Sequence, residues 1–324
     1  MMSKKGKTIV RFASVGVGYG GSLPIGVWLA NCLTEVVDDL AFFLNYHVTA
    51  KWFLTGEQLL QHGEAELGLF NARGLAAMAM RGRGLYNEPF PSLRAIAAFP
   101  HHDWLIFAVD QSFGVRTFAD LKKRKAPLKL TTGFLDGDNV VGWFALELLK
   151  RHGIEPEELE TWGGEFLPAG IFDTWKQLKA GTANAICQEG VFTKSVRDLF
   201  ASRPMFYLPT EPRVLQNLKD EFGWESITVP ANYYANQPEP LVAPDFSDWL
   251  LCARADFDEG LAYKIARIVV EHGSEMANTT LAGSNGRVVL TNPQPPVDPK
   301  KAVDTTPVPL HPGAERLYRE RGLL

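Results

Sequence analysis

Along the chain, short apolar runs alternate with longer stretches in which apolar residues recur every three to four positions. That alternation predicts βα units and a mainly parallel sheet. Residues 9–14 read as a strand. A glycine-rich turn follows, Gly16-Val17-Gly18-Tyr19-Gly20-Gly21, and residues 24–40 read as a helix with Pro24 in its first turn, where a missing N–H costs little. Residues 44–51 read as a second strand, 56–63 as a short helix, and 65–70 and 92–99 as the third and fourth strands.

A new unit begins near His101. Residues 104–109 and 128–132 read as strands, and 139–152 as an amphipathic helix that stops at Gly153. A helix at 171–180 and strands at 183–188 and 205–208 follow. Residues 230–248, rich in Pro, Asn and Tyr, read as a loop. Then come a strand at 248–255, a long helix at 259–279, a proline-rich extended arm over 292–312 and a short helix at 314–321. The two halves echo each other. Leu59-Leu60-Gln61-His62-Gly63-Glu64-Ala65-Glu66-Leu67-Gly68 parallels Gln177-Leu178-Lys179-Ala180-Gly181-Thr182-Ala183-Asn184-Ala185-Ile186, a helix ending at Gly and then a strand. The pattern predicts two similar α/β lobes rather than a short-period array.

Composition narrows the function classes. The 324 residues carry a net charge of -4, which argues against a nucleic-acid partner. No apolar run approaches the roughly 20 residues that span a bilayer. The three cysteines, Cys32, Cys187 and Cys252, are far apart, so a zinc ribbon or CxxC redox motif is excluded, and buried free thiols are expected. Residues 1–7 are basic, but the segment after them is too short and too charged for a secretory core.

Gly16, Gly18 and Gly21 fit the G-x-G-x-x-G spacing of a dinucleotide turn. The acids at the matching distance, Glu35, Asp38 and Asp39, fall inside the expected helix, and the next strand holds none. The reading favoured is a cradle for an anionic or polar ligand, made of free backbone N–H groups before a helix. The corresponding turn of the second half is Thr131-Thr132-Gly133-Phe134-Leu135-Asp136-Gly137-Asp138-Asn139. There Asp136 or Asp138 is expected either to cap the helix or to meet a ligand amine. His101-His102-Asp103 does not read as a metal site, because adjacent residues of an extended segment face opposite sides. No G-x-S-x-G elbow occurs, and Ser195 and Asp198 have no assignable His partner. Glu189 follows a strand, where cleft residues sit in α/β sheets, or else caps a helix starting near Phe192. Trp28, Trp143 and Trp175 read as core.

Five stretches, in order, resemble the TAXI family, the solute receptors of tripartite (TRAP) transporters. They are Gly18-Tyr19-Gly20-Gly21-Ser22-Leu23-Pro24-Ile25-Gly26, Gly63-Glu64-Ala65-Glu66-Leu67-Gly68-Leu69-Phe70-Asn71, Val115-Arg116-Thr117-Phe118-Ala119-Asp120-Leu121-Lys122, Ala180-Gly181-Thr182-Ala183-Asn184-Ala185, and the run Val308-Pro309-Leu310-His311-Pro312-Gly313-Ala314-Glu315-Arg316-Leu317-Tyr318 with the residues after it. The resemblance implies a periplasmic-binding-protein fold of type II: two three-layer α/β lobes joined by crossing strands, with the ligand cleft between them. Lobe 1 would take residues 1–103 and 250–324, and lobe 2 residues 104–249. It implies capture of a small organic acid or amino acid and delivery to a membrane permease, without catalysis or a cofactor, by a monomer. The location implied is periplasmic if a leader was removed.

Carried over by position, the ligand-binding residues are Tyr19, Gly20, Gly21, Ser22 and Leu23 in the first cradle, Asn71 at the third strand's end, and Phe99 and His101 at the first crossover. In the second lobe they are Phe134, Asp136, Gly137, Asp138 and Asn139, then Gln188 and Glu189, with Tyr233 from the later loop. The second turn departs from the family, in which it is small and neutral. An ABC-type or ligand-sensing protein of the same fold is the alternative. An enzyme on a related fold would need a reactive Cys, His or Lys, and Cys187 is the residue to ask.

Overall fold

The first strand, β1, runs over Thr8–Val15 and is followed by α1 (Ser22–Val36), β2 (Leu40–His47), α2 (Thr55–Gln61), β3 (Leu67–Asn71), α3 (Arg73–Arg81) and β4 (Leu93–Phe99). The computed structural model describes residues 7–15, 22–47, 55–190, 194–278 and 296–324. The chain then forms β5 (Leu105–Asp110), α4 (Phe118–Arg124), β6 (Lys129–Thr132), α5 (Val140–Arg151), α6 (Pro156–Thr161), β7 (Glu165–Pro168), α7 (Ile171–Ala180), β8 (Ala185–Glu189), α8 (Lys194–Ser202), β9 (Met205–Tyr207), α9 (Pro212–Phe222), β10 (Ser226–Val229) and β11 (Leu241–Pro244). It closes with β12 (Trp249–Arg254), α10 (Glu259–His272), α11 (Pro299–Ala302) and α12 (Pro312–Glu320).

These elements fall into two units. One comprises Met1–Arg81, Glu88–His101 and Ser247–Leu324, the other Gly82–Asn87 and His102–Phe246. Each holds a five-stranded sheet, ordered β2-β1-β3-β12-β4 in the first and β7-β6-β8-β5-β9 in the second. The two orders are one topology. In each, the third strand lies between the first strand and an antiparallel strand, and that antiparallel strand, β12 or β5, carries the fourth on its far side. The antiparallel strand is in each case the first one formed after the chain passes from the other unit. The internal echo of the sequence is this repeat. Gly63 and Gly181 both take left-handed φ, 75° and 77°, where a helix ends before the third strand.

Each sheet buries its own core. The first unit packs Phe12, Trp28, Leu29, Leu69, Phe99, Leu251, Ile265 and Tyr318 together, and the second packs Trp104, Ile106, Ile186, Phe200 and Tyr234. Trp28 is core, as expected, with its ring edge-on to Phe99. The cysteines are free thiols. Cys187 and Cys252 are buried and Cys32 is half-buried. Among the described residues no helix is long and apolar enough to cross a membrane.

Several elements differ from the sequence reading, among them the arm expected as extended over 292–312, which holds the short helix α11. The first helix ends at Val36 rather than at residue 40, and β2 starts at Leu40 rather than 44. Asp39 turns the chain there in the left-handed region, φ 53°, and its carbonyl accepts the N–H of Thr8. Within the 230–248 stretch, β11 pairs with β10 antiparallel. The helix expected over 259–279 stops at His272 and continues as a 3-10 turn, Gly273–Asn278.

Candidate functional site

In open α/β sheets, ligands meet the carboxyl ends of the strands. In the second unit those ends are Thr132 of β6 and Glu189 of β8. The strands run parallel with Thr131 beside Ile186, so Thr132 lies beside Cys187, on the same side of the sheet as Glu189.

The turn after β6 is built around Asn139. It is the N-cap of α5, and its Oδ1 accepts the N–H groups of Val141 and Gly142 at 3.1 and 3.0 Å. The turn folds tightly onto that cap. A Cβ on Gly142 would lie 2.0 Å from the Phe134 carbonyl oxygen, so only glycine fits. Asp136 and Asp138 are exposed, and neither caps the helix. Asp136 Oδ1 accepts the Asp138 N–H at 3.1 Å, and Gly137 turns between them with φ 88°. The cap expected at one of the aspartates is thus made by Asn139, and Phe134 is half-buried.

At the end of β8, Gln188 is consumed by the fold. Its Nε2 donates to Thr174 Oγ1 on α7 at 3.1 Å, and its Oε1 accepts the Glu189 N–H at 3.0 Å. Glu189 therefore faces away from α7. It is 8% exposed, and its Oε1 has no hydrogen-bond partner among the described residues. Thr132 is fully buried, with its hydroxyl against the Cys187 thiol. Burial, reinforced by the charge of Asp103, pushes the Glu189 carboxyl up to about 8. Glu189 sits in β8 itself, five residues before α8 begins at Lys194.

Asp103 reaches this end through β5. Leu105 pairs with Glu189, so Asp103, two residues earlier in an extended segment, falls on the same side just past the strand end. Asp103 is 1% exposed, and its Oδ1 accepts the Trp104 N–H at 2.7 Å. On the opposite side, Trp104 Nε1 donates to Tyr234 Oη at 2.9 Å, and that hydroxyl donates to the Gly190 carbonyl at 3.2 Å. Tyr233 is half-buried, edge-on to Trp104.

In the first unit, Asn71 ends β3, half-buried and opposite Trp249. Phe99 is wholly buried in the core. The His101 N–H donates to Asp248 Oδ1 at 3.2 Å, and its ring packs on Trp249 with centroids 4.4 Å apart. Arg73 spans Asp248 Oδ2, with Nη2 at 2.8 Å and Nε at 3.1 Å, and meets Asp304 at 3.3 Å. Ser22 and Leu23 open α1. Tyr19, Gly20 and Gly21, with Gly16 and Gly18, lie outside the described residues.

Sequence reasoning missed Asp103 as an acid beside Glu189 and weighed it only as a metal ligand. It also missed the Arg73–Asp248 pair. Both relationships join residues distant in the chain, and no local pattern marks them. Among the described residues, no three His, Cys, Asp or Glu groups gather as a metal-ligand set. Cys187 is fully buried and its thiol is pushed far up by burial, so it is no ready thiolate.

The model of the NMT1-like family matches residues 55–322. Among solved structures, the chain is similar to a binding-protein component of an ABC phosphonate transporter from Pseudomonas aeruginosa, with 10% identity, a TM-score of 0.51 and coverage of 98% of this chain and 86% of that one. It is also similar to MatC from Rhodopseudomonas palustris with bound malate, with 12% identity, a TM-score of 0.51 and coverage of 98% and 99%. At these identities the likeness shows a shared fold.

Proposed function

This chain belongs to the NMT1-like family, and we propose that it is a solute-binding protein that captures a small organic acid or amino acid and hands it to a membrane permease. The observation that carries this is Glu189 Oε1, buried at the carboxyl end of β8 with no hydrogen-bond partner among the described residues. Buried polar atoms are nearly always paired, and an orphan costs about 1–3 kcal/mol. A ligand that completes it is the simplest account. The fold supports the same reading, since one similar structure is a transporter's binding component and the other holds malate.

In this reading the second unit binds solute around Glu189, with Gln188 holding the β8 end and Asn139 fixing the turn before α5. Phe134, Asp136, Gly137, Asp138 and Tyr233 flank that end. For the first unit, the resemblance points to Tyr19, Gly20, Gly21, Ser22 and Leu23 as the carboxylate cradle, of which residues 19–21 lie outside the described residues, and to Asn71, Phe99 and His101 at the strand ends. The role is binding rather than catalysis, which the protonated, packed thiol of Cys187 supports. Such a receptor works in the periplasm.

Two permease types compete. The five ordered stretches resembling the TAXI family favour a tripartite transporter. The Pseudomonas neighbour favours an ABC transporter. The permease genes beside this one separate them.

A thermal-shift screen of the purified chain with amino acids, dicarboxylates, keto acids, phosphonates and nucleotides tests the function. A solute at a hundred times its Kd adds about 2.7 kcal/mol to the folded state. A shift of several degrees with one class of small acid or amino acid is expected. A shift with nucleotides only, or with nothing, overturns the reading.

A further inference from the structure

The carboxyl end of the first sheet carries a surplus of buried donors. Two indole N–H groups, Trp28 Nε1 and Trp249 Nε1, have no hydrogen-bond partner among the described residues, although the two side chains belong to residues only 4% and 3% exposed. A buried Trp N–H ordinarily finds an acceptor. An indole has one donor and no acceptor, so the two rings cannot satisfy each other.

The fold brings both donors to one place. β1 ends at Val15 and the chain returns as α1 from Ser22, so α1 starts at the carboxyl end of the parallel strands β1 and β3. Trp28 stands in the second turn of α1, and a helical side chain leans back toward the start of its helix. Trp249 opens β12 and pairs with the last residues of two strands, Asn71 of β3 and Phe99 of β4. Phe99 meets Trp28 edge-on with centroids 6.1 Å apart, and all three rings belong to the core on which α1 packs. The unpartnered donors therefore flank one ring near the start of a 15-residue helix. The first turn of α1 holds no acid, and the acid preceding Trp249, Asp248, is already held by Arg73 at 2.8 and 3.1 Å.

A carboxylate supplies what this end lacks. It only accepts, it has lone pairs enough for both indoles, and a helix N-terminus favours its charge. An ammonium would bring more donors to a place already in surplus. We infer that Trp28 Nε1 and Trp249 Nε1 donate to the carboxylate of the captured solute beside the start of α1; this rests on the solute-binding reading above. The inference adds two residues that no strand-end or glycine pattern marks, and it makes an anionic group obligatory in the solute.

Isothermal titration of the full chain against acids and their primary amides tests it: L-alanine and L-alaninamide, pyruvate and pyruvamide, succinate and succinamide, and the acid that raises the melting midpoint most in the screen above. The expected result is binding of an acid, with its amide weaker by about tenfold or more. Trp28→Phe and Trp249→Phe remove one donor each and keep an aromatic ring, and each is expected to lose about tenfold for the acid, the worth of a hydrogen bond to a charged group. Trp224→Phe is the control, because Trp224 Nε1 is also buried and unpartnered but lies in the second unit; it is expected to keep full affinity. The indole signals of the ¹⁵N-labelled native chain give a readout that does not depend on a variant folding. On saturation with the acid, the Nε1–H signals of Trp28 and Trp249 are expected to move downfield while that of Trp224 stays. An amide that binds as tightly as its acid, either variant with full affinity, or indole signals unmoved in the saturated chain overturns the carboxylate seat and leaves the solute-binding reading standing. Silence of the native chain toward every acid and every amide overturns both.

Discussion

A Cβ on Gly133 would stand 2.0 Å from Asn139 Oδ1, the atom that caps α5. The same Cβ would lie 2.8 Å from the Gly142 backbone nitrogen. The turn is thus a closed knot of three residues, in which Gly133 leaves room for Asn139, and Asn139 satisfies the helix it opens. Asn139→Ala is expected to cost about 1 kcal/mol, with an upper bound near 2, the ordinary worth of an N-cap. Gly133→Ala is expected to cost about 1–3 kcal/mol through overpacking against backbone. Asp138→Asn, at an exposed residue that caps nothing, is expected to leave stability within about 0.5 kcal/mol. Urea midpoints of the three variants check this. A loss at Asp138 equal to that at Asn139 would return the cap to the aspartate.

Gly190 occupies the other tight place. A Cβ there would meet Tyr234 Oη at 2.5 Å and Trp104 Nε1 at 2.6 Å, between the two atoms that hydrogen-bond each other. Both rings are buried, so neither swings out freely. Gly190→Ala is expected to destabilise by about 1–3 kcal/mol and to alter the near-ultraviolet signal of Trp104. Trp104→Phe, which removes the donor and keeps most of the ring, is the companion variant. If Gly190→Ala melts with the native chain and keeps its aromatic spectrum, the contact is not formed in solution.

The repeat of the sheets was legible because its signals are local. Gly63 and Gly181 end helices in the left-handed region that only glycine enters readily, and the apolar runs after them are the third strands. The misplaced start of β2 has the opposite cause. Asp39 makes a left-handed turn without a glycine, and Val37 continues the apolar spacing past the helix end at Val36. The hairpin partner β11 lies in a proline-rich stretch, and its pairing with β10 is visible only in three dimensions. At the candidate site, Gln188 and Glu189 were readable as the residues that end a strand. That Gln188 is tied to Thr174, while Glu189 Oε1 has no partner among the described residues, depends on which face of β8 meets α7. Asp103 comes to Glu189 through the antiparallel placement of β5, a long-range fact with no sequence signature.

Glu57 gives the first unit a pH dependence of its own. It is 1% exposed on α2, neither carboxyl oxygen has a hydrogen-bond partner among the described residues, and burial pushes its carboxyl from 4.5 up to about 8. Between those values the unfolded chain has lost the proton and the folded chain keeps it. The unfolded state then binds fewer protons, so stability falls as pH rises from about 4.5 toward 8. Glu189 acts with the same sign. Glu57→Gln removes the ionisation and keeps the shape. Its midpoint is expected to match the native chain near pH 4.5 and to exceed it increasingly toward pH 8, by about 2–4 °C for each kcal/mol relieved. Thermal midpoints of both proteins across that range check the sign. Parallel curves would mean that Glu57 is already ionised in the fold.

The thiols decide whether covalent chemistry at Cys187 has any standing. A thiol attacks as the thiolate, so a nucleophilic cysteine needs exposure and a lowered pKa. Cys187 and Cys252 have neither. Both are fully buried, and burial raises each well above the ordinary thiol range. Cys32 is half-buried, with its thiol pushed up to about 11 by burial and by the charges of Glu35 and Glu275. At pH 7.5 and without denaturant, iodoacetamide is therefore expected to label Cys32 slowly and the other two only after unfolding. Peptide mass spectrometry over a time course reads all three sites. Labelling Cys187 ahead of Cys32 in the folded chain would show an activated thiol, and an enzyme on this fold would have to be taken up again. Labelling of Cys187 and Cys252 at one common rate, rising together with denaturant, would instead mark opening of each unit as the limiting event. In that case both sulfurs serve as packed apolar groups.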